Sequence, residues 1–304
     1  MMKLSRRKFI VQMALFAGWL LRPRLSFPSG SQFFGAPLAP PGGEAGEVAL
    51  KNIDFFLKEN VNYDINFLWF SKAAVGKLNF SREGPGFKAI LEAETKGFIG
   101  FLTFYRKHSY ISHMSYLPDS RQLRVDFFER HVKVGSNEEK TYTWTDYNRR
   151  VLRREEYKKG KKIEDVKELI PEGVIYEDIL SAFYNVRLGY YGPIRRGRQF
   201  TVRSLPSDGV STIEVSFTTK EDAIKSRDLF GNKFDENMFS ARVKVPRDLF
   251  KSKTGEVSIL FDDALVPVYG VVKDYIGFGD IMGILKREGE VVQAHSQRLI
   301  GKDG

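Results

Sequence analysis

The sequence contains no cysteine. Disulfides, thiolate metal sites, iron–sulfur clusters, cysteine nucleophiles and a lipid-anchored amino-terminal cysteine are therefore excluded together. Histidine is scarce as well, with only His108, His113, His131 and His295. His108 and His113 are five residues apart, so on one strand they point to opposite faces and do not share a metal. Gly-x-Ser-x-Gly does not occur, and Ser-x-x-Lys occurs only at Ser5 to Lys8, inside a basic leader. No serine has a recognisable base beside it, so nucleophilic catalysis has no named residues. Gly277, Gly279 and Gly283 miss the dinucleotide fingerprint by one residue and read as turn glycines. Asp262 and Asp263 diverge if they lie on a strand, and a turn before Pro267 explains them better than a catalytic carboxylate pair. These absences predict no cofactor and no enzyme, with an unrecognised hydrolase as the remaining enzymatic alternative.

What is present is an ordinary globular composition, 42% hydrophobic and 13% aromatic, with a formal charge of +10 over 304 residues. The charge is unevenly placed. Lys3, Arg6, Arg7, Lys8, Arg22 and Arg24 supply six of the ten positive charges, and no acid precedes Glu44. Between them lies Phe9 to Leu21, thirteen residues that are apolar but for Gln12. That is shorter than the roughly twenty residues a spanning helix needs, and it suits the apolar region of an export signal. Ser5-Arg6-Arg7-Lys8-Phe9-Ile10 resembles the twin-arginine export motif. Ser29-Gly30-Ser31 offers small residues for cleavage. The expectation is a signal over 1–31 read by the twin-arginine machinery, and a periplasmic product. An uncleaved inner-membrane anchor is the alternative. Cleavage after Ser31 removes six charges from +10 and leaves +4. Residues 32–47, with Phe33 to Gly46 reading FFGAPLAPPGGEAG, form a Pro/Gly/Ala linker. Residues 48–304 read as one β-rich domain.

Alternation of apolar and polar residues carries the fold. It predicts strands over Val61–Trp69, Ala74–Phe80, Phe87–Glu94, Tyr110–Tyr116, Leu123–Val134 and Lys140–Trp144. It continues through Asn148–Tyr157 and Lys161–Leu169, joined at a Lys158-Lys159-Gly160 tip. After a helix come Gln199–Ser204, Val210–Phe217, Phe239–Val245, Glu256–Phe261, Leu265–Lys273 and Ile281–Arg287. Two short helices interrupt. Gly97–Tyr105 sets Phe98, Phe101, Leu102 and Tyr105 on one face, and Asp178–Leu188 sets Leu180, Phe183, Tyr184 and Arg187 together. Asp178 suits the N-cap and Gly189 the position past the end. The expected fold is mainly β: an antiparallel curved sheet or half-open β-barrel with two short helices. A transmembrane barrel fits poorly. The strands carry charge where lipid would sit, and the chain ends Arg298-Leu299-Ile300-Gly301-Lys302-Asp303-Gly304 without a terminal aromatic strand.

The segment Asp178-Ile179-Leu180-Ser181-Ala182-Phe183-Tyr184-Asn185-Val186-Arg187 resembles the central motif of a family of exported bacterial proteins, domain of unknown function 3108. That family typically shows Asp-Pro-Leu-Ser-Ala, then two aromatic or apolar residues and an arginine. Ile179 stands here where proline is usual. Tyr63–Gly76, Gly97–Tyr116 and Glu256–Lys286 resemble other parts of the family in order, so the likeness spans residues 55 to 290. It implies export and a β-rich domain, and no established activity. A looser likeness is to the half-barrels of periplasmic lipoprotein carriers, as an analogy of fold alone.

Two sets of residues are candidates for contact with a partner. Trp69, Phe98, Phe101, Tyr184 and Arg187 would shelter a lipid or other amphiphile in the concave face of the sheet, if their faces enclose a cavity rather than fill a core. Arg149, Arg150, Arg153, Arg154, Lys158 and Lys159 form a basic hairpin that could meet an anionic envelope component. Alternatively, its mixed charges keep a sheet edge from pairing. Export argues against nucleic acid as its partner.

Overall fold

The computed structural model describes residues 52–67, 70–205, 211–219, 221–222, 230, 238–245, 247, 252–275 and 279–286. The segments read as export signal, cleavage site and linker, and Trp69, lie outside the described residues.

The chain forms fourteen strands and, among the described residues, three short helices. Helix α1 (Ile53–Phe56) precedes β1 (Asn60–Phe67), β2 (Phe70–Glu83) and β3 (Gly86–Thr95). Helix α2 (Gly97–Leu102) leads to β4 (Lys107–Leu117), β5 (Gln122–Val134), β6 (Asn137–Asp146), β7 (Val151–Lys158) and β8 (Lys161–Leu169). Helix α3 (Ile179–Leu188) is followed by β9 (Gln199–Ser204), β10 (Ser211–Phe217), β11 (Phe239–Lys244), β12 (Glu256–Phe261), β13 (Pro267–Tyr275) and β14 (Gly279–Leu285). The order β8-β7-β6-β5-β4-β3-β2-β1-β14-β13-β12-β11-β10-β9 is a single antiparallel sheet left open between β8 and β9. Two meanders, β1–β8 and β9–β14, are joined where β1 pairs with β14 through Tyr63↔Leu285 to Phe67↔Ile281.

Every strand read from alternation is present; most have one face against the interior and one against water, while the edge strand β8 buries no residue and leaves Ile163 and Leu169 exposed. The boundaries moved at turns. Asn148 and Arg149 belong to a turn in which the Asp146 carboxylate accepts from the Arg149 amide (2.9 Å), so β7 starts at Val151. Leu265 adopts a left-handed φ of 61° and β13 starts at Pro267. Asp262 does hold the preceding turn, its Oδ1 accepting from the amides of Ala264 (3.1 Å) and Val266 (2.8 Å). Lys159 and Gly160 have φ of 50° and 75°, the paired positive values of a two-residue hairpin turn.

Helix α3 is the element around which both meanders curve. Its start and stop are encoded locally. Asp178 accepts from the amides of Leu180 (2.7 Å) and Ser181 (3.2 Å), while the Ser181 hydroxyl accepts from the Asp178 amide (2.9 Å). This reciprocal box satisfies amides that the first helical turn leaves without partners. Gly189 ends the helix at φ 76°, where a side chain would be strained. One face buries Leu180, Tyr184 and Leu188 against Phe56, Phe80, Phe87, Ala89, Tyr110, Leu123 and Val125 of the first meander. Ala182, with Ile179, Phe183 and Val186, packs against Val202, Ile213, Val215, Ala241 and Phe261 of the second. A side chain buried this fully stabilises the fold by about 2 kcal/mol, so a helix with apolar residues on two sides fastens both walls. No helix among the described residues is long and apolar enough to cross a membrane.

Candidate functional site

The sheet and α3 together leave a cavity of about 430 Å³ on the concave face. Strand alternation builds its walls. In β1 the inward residues are Tyr63, Ile65 and Phe67; in β2, Ala74, Gly76 and Leu78. Leu91, Ala93 and Thr95 of β3 continue it, followed by His108 and Tyr110 of β4. The opposite wall is almost wholly aliphatic and aromatic: Ile213, Val215 and Phe217 of β10, Val243 of β11, Val257, Ile259 and Phe261 of β12. Ile179, Ala182, Phe183 and Val186 of α3 close one end.

Glycine accounts for the space under β14 and β13. Gly270 and Gly283 face each other in register, and Gly283 also pairs with Ile65. A Cβ at either glycine would meet no atom within 4 Å, so these two positions open onto the cavity. A Cβ at Gly76 would come within 3.3 Å of Ile65 Cδ1, so that position is missing a side chain for close packing instead.

Polar side chains collect at the end away from α3. Arg106 pairs with Thr95 in the chain's approach to β4, and its backbone carbonyl accepts from the Thr95 amide (3.0 Å). Its Nη1 donates to the Tyr275 hydroxyl (2.6 Å), while its Nε is buried without a hydrogen-bond partner. His108 and Thr103 stand beside it on the lining. Glu92 and Glu94, between the inward residues of β3, border the cavity as well, and their carboxylates meet Lys107 (3.4 Å) and Lys96 (2.8 Å).

The residues singled out from the sequence sit elsewhere. Phe98 and Phe101 are 65% and 67% exposed and do not line the cavity. The residues that α2 buries are Ile99 and Gly100, so its aromatic stripe faces outward with Phe104 and Tyr105 after it. Tyr184 is fully buried in the core, between Phe56 and Phe80 at ring separations of 5.3 and 4.5 Å. Arg187 is buried too, in a bidentate pair with Glu59 at 2.8 and 2.9 Å. The Tyr184 hydroxyl donates to the same carboxylate (2.7 Å), and the guanidinium carbon lies 4.5 Å from the Phe56 ring centre and 4.8 Å from that of Phe183. Burial, and then the Glu59 charge, hold the Tyr184 phenol well above its ordinary pKa. Tyr184 and Arg187 thus tie α3 to the segment before β1, next to the cavity wall and not on it. Sequence reasoning did single out Arg187, but nothing local marks Glu59 as its partner 128 residues away.

A second buried polar group lies at the N-terminus of α3. The Glu177 carboxylate accepts from Asn185 Nδ2 (3.0 Å) and the Tyr191 hydroxyl (2.6 Å) through Oε1, and the Gln122 side chain also acts on it. Burial pushes its pKa up to about 7, against the opposing effect of those hydrogen bonds. Asn185 also donates to the Leu123 carbonyl (2.7 Å) and accepts from the Leu123 amide (2.7 Å). The buried Asp178 carboxyl is raised by burial as well, opposed by the Ser112 hydroxyl (2.6 Å) and its two capping amides.

Among the described residues, most charges of the basic hairpin, though not that of Lys159, are paired within it or with neighbouring acids. Arg153 meets Asp165 (2.8 Å) and Glu155, Arg154 meets Glu164 (3.1 Å), and Lys162 bridges Glu155 (2.7 Å) and Asp165 (3.1 Å). Lys158 meets Glu139 (3.5 Å), Arg149 meets Asp146 (3.7 Å) and Arg150 meets Glu172 (3.7 Å). Hydrogen bonds from Arg153 and Lys162 hold the Asp165 carboxyl well below its ordinary pKa. Elsewhere, His113 stands on the face opposite the inward Ser112, between Glu83 (2.5 Å) and Glu129 (3.1 Å). His108 faces the cavity, so the two histidines are on opposite faces.

No protein family matches the chain, and no curated protein matches it in sequence. Among solved structures it is similar to a β-barrel-like protein of domain of unknown function DUF1849 from Brucella abortus. The identity is 9% and the TM-score 0.41, over 75% of this chain and 95% of that one. It is also similar to a DUF1089 family protein from Pseudomonas aeruginosa, with 12% identity and a TM-score of 0.32, over 68% of this chain and 90% of that one.

Proposed function

We propose that this protein is an exported, non-enzymatic binding protein that shelters a lipid or other amphiphile in the concave face of its sheet. The observation that carries this reading is the cavity of about 430 Å³, lined by apolar side chains from both meanders and α3. That volume lies within the roughly 300–1,000 Å³ typical of ligand sites. Two facing strand glycines border open space, into which a bulky side chain at either position would project. The twin-arginine leader at Arg6 and Arg7 places the protein in the periplasm in this reading, beside membranes that supply such ligands. The likeness of the Asp178 segment to domain of unknown function 3108 is part of the same proposal. The reading as a basic contact surface is weaker, because the hairpin's charges are matched by acids on the same strands.

The test is Gly283→Leu, with Gly270→Leu as its companion, read by a neutral solvatochromic dye and by native mass spectrometry of protein recovered from periplasm. Wild-type protein should carry an amphiphile and enhance dye emission; both variants should lose this while melting within a few degrees of wild type. Wild-type protein that carries no amphiphile and leaves the dye dark would refute the proposal.

A further inference from the structure

We propose that the cavity takes a single-chain amphiphile with an anionic head, a carboxylate or a phosphate monoester, held by the Arg106 guanidinium beside Tyr275. This rests on the cavity being a ligand site and names the ligand's class.

Length argues for one chain. The inward residues span four residue steps in each wall strand, from Tyr63 to Phe67, Leu91 to Thr95 and Val257 to Phe261. At the rise of a strand this is about 13 Å. One acyl chain occupies about 15 Å, half of the roughly 30 Å hydrocarbon core of a bilayer. The two lengths match, and the wall is predominantly apolar until the polar end at Thr95 and Arg106.

Charge argues for the head. The end closed by α3 presents Ile179, Ala182, Phe183 and Val186, with no charged group on the lining there. The other end presents Arg106. The nearest acids, Glu92 and Glu94, also border the cavity, but their carboxylates are engaged by Lys107 (3.4 Å) and Lys96 (2.8 Å) and not by Arg106. Among the described residues no carboxylate pairs with Arg106. Its Nη1 is engaged with a neutral phenol, and its Nε is buried with no acceptor. A buried guanidinium donor without an acceptor is costly, and an anionic oxygen supplies what it lacks. His108 lines the wall two residues further along β4 and brings a second polar ring to the same end. A neutral amphiphile would fill the apolar length and leave this donor unanswered.

The experiment is calorimetric titration of the whole protein with dodecanoate, dodecyl phosphate and dodecanol, for wild type, Arg106→Gln and Arg106→Lys. A hydrogen bond to a charged group predicts that wild type binds at least one of the two anions about tenfold or more tightly than the alcohol. Arg106→Gln should lose that preference and keep the alcohol's affinity, which also reports an intact cavity. Arg106→Lys should keep part of the preference, as a charge without the planar fork. The better of the two anions identifies the head. Equal binding of alcohol and anions by wild type, or an anion preference that survives Arg106→Gln, overturns the head-group assignment while leaving the cavity reading intact. Failure of all three ligands to bind wild type refutes both together.

Discussion

Glu177 should make this fold less stable as the pH rises through neutrality. Its carboxyl is buried at the N-terminus of α3, and burial moves its pKa from 4.5 up to about 7 in the folded chain. Asn185 and Tyr191 donate to it, Gln122 is a further neighbour, and the Asp178 charge next to it favours the protonated form. Below pH 4.5 the group is protonated in both folded and unfolded chains and its full contribution is present. Between 4.5 and 7 the unfolded chain releases the proton and the folded one retains it. Stability therefore falls over that window and levels off above it. With 1.36 kcal/mol for each pH unit, the loss is about 3 kcal/mol. Glu177→Gln keeps an acceptor for Asn185 and Tyr191 and removes the charge. The measurement is urea denaturation of wild type and variant at pH 5, 6, 7 and 8, taking the difference in unfolding free energy at each pH. The variant should gain on wild type steadily from pH 5 to 7, and the difference should then flatten. Its absolute position is shifted by the new amide donor, which takes the place of Oε2. The slope is unaffected by that cost. A difference that stays constant from pH 5 to 8 would refute the argument, because it would mean Glu177 exchanges no proton differently in the two states.

Two further substitutions probe how α3 is held. Arg187→Met leaves Glu59 buried without its cation and should cost about 3–5 kcal/mol; adding Glu59→Leu should recover part of that, measured as a coupling energy in a double-mutant cycle. Asn185→Leu is close in shape but strips partners from both the amide and the carbonyl of Leu123 and from Glu177. It should lower stability by about 3 kcal/mol, and a loss below 1 kcal/mol in chemical denaturation would show that water replaces the amide there.

The sheet was legible because alternation is a local signal repeated in every strand, and a strand wet on one face cannot hide it. The ends of α3 were legible for the same reason: Asp178, Ser181 and Gly189 act within one helical turn. The first helix, only four residues long, shows no periodicity to read. The helical spacing of Phe98, Phe101 and Tyr105 was real as a stripe, but spacing does not say which stripe faces inward. Ile99 and Gly100 took that place because α2 is short and lies flat over Phe67 and Ala73. The buried acids Glu59 and Glu177 were missed because their partners are distant in the chain or placed by the fold. Glycines inside the alternating runs of β13 and β14 were the one local hint of the cavity, since a strand gains nothing from them unless space is required. Arg106 gave no signal of its own. Its meaning comes from the fold, which engages Glu92 and Glu94 with Lys107 and Lys96 and leaves the Arg106 Nε without an acceptor.

The junction of β1 with β14 has a consequence for how the chain assembles. Every other neighbouring pair in the sheet, β8 to β1 and β9 to β14, consists of consecutive strands that can form as hairpins. Tyr63 and Leu285 are separated by more than two hundred residues. Non-local pairing of this kind closes its loop last and slowly. Until then the two meanders each expose an unpaired inner edge, and both have apolar faces that α3 covers in part. Since α3 stands in the chain between them, it can dock on the first meander before the second exists and present Ala182 and Phe183 as the surface on which the second one forms. The order of the elements along the chain thus shields the most aggregation-prone surface during the interval when the sheet is still in two pieces.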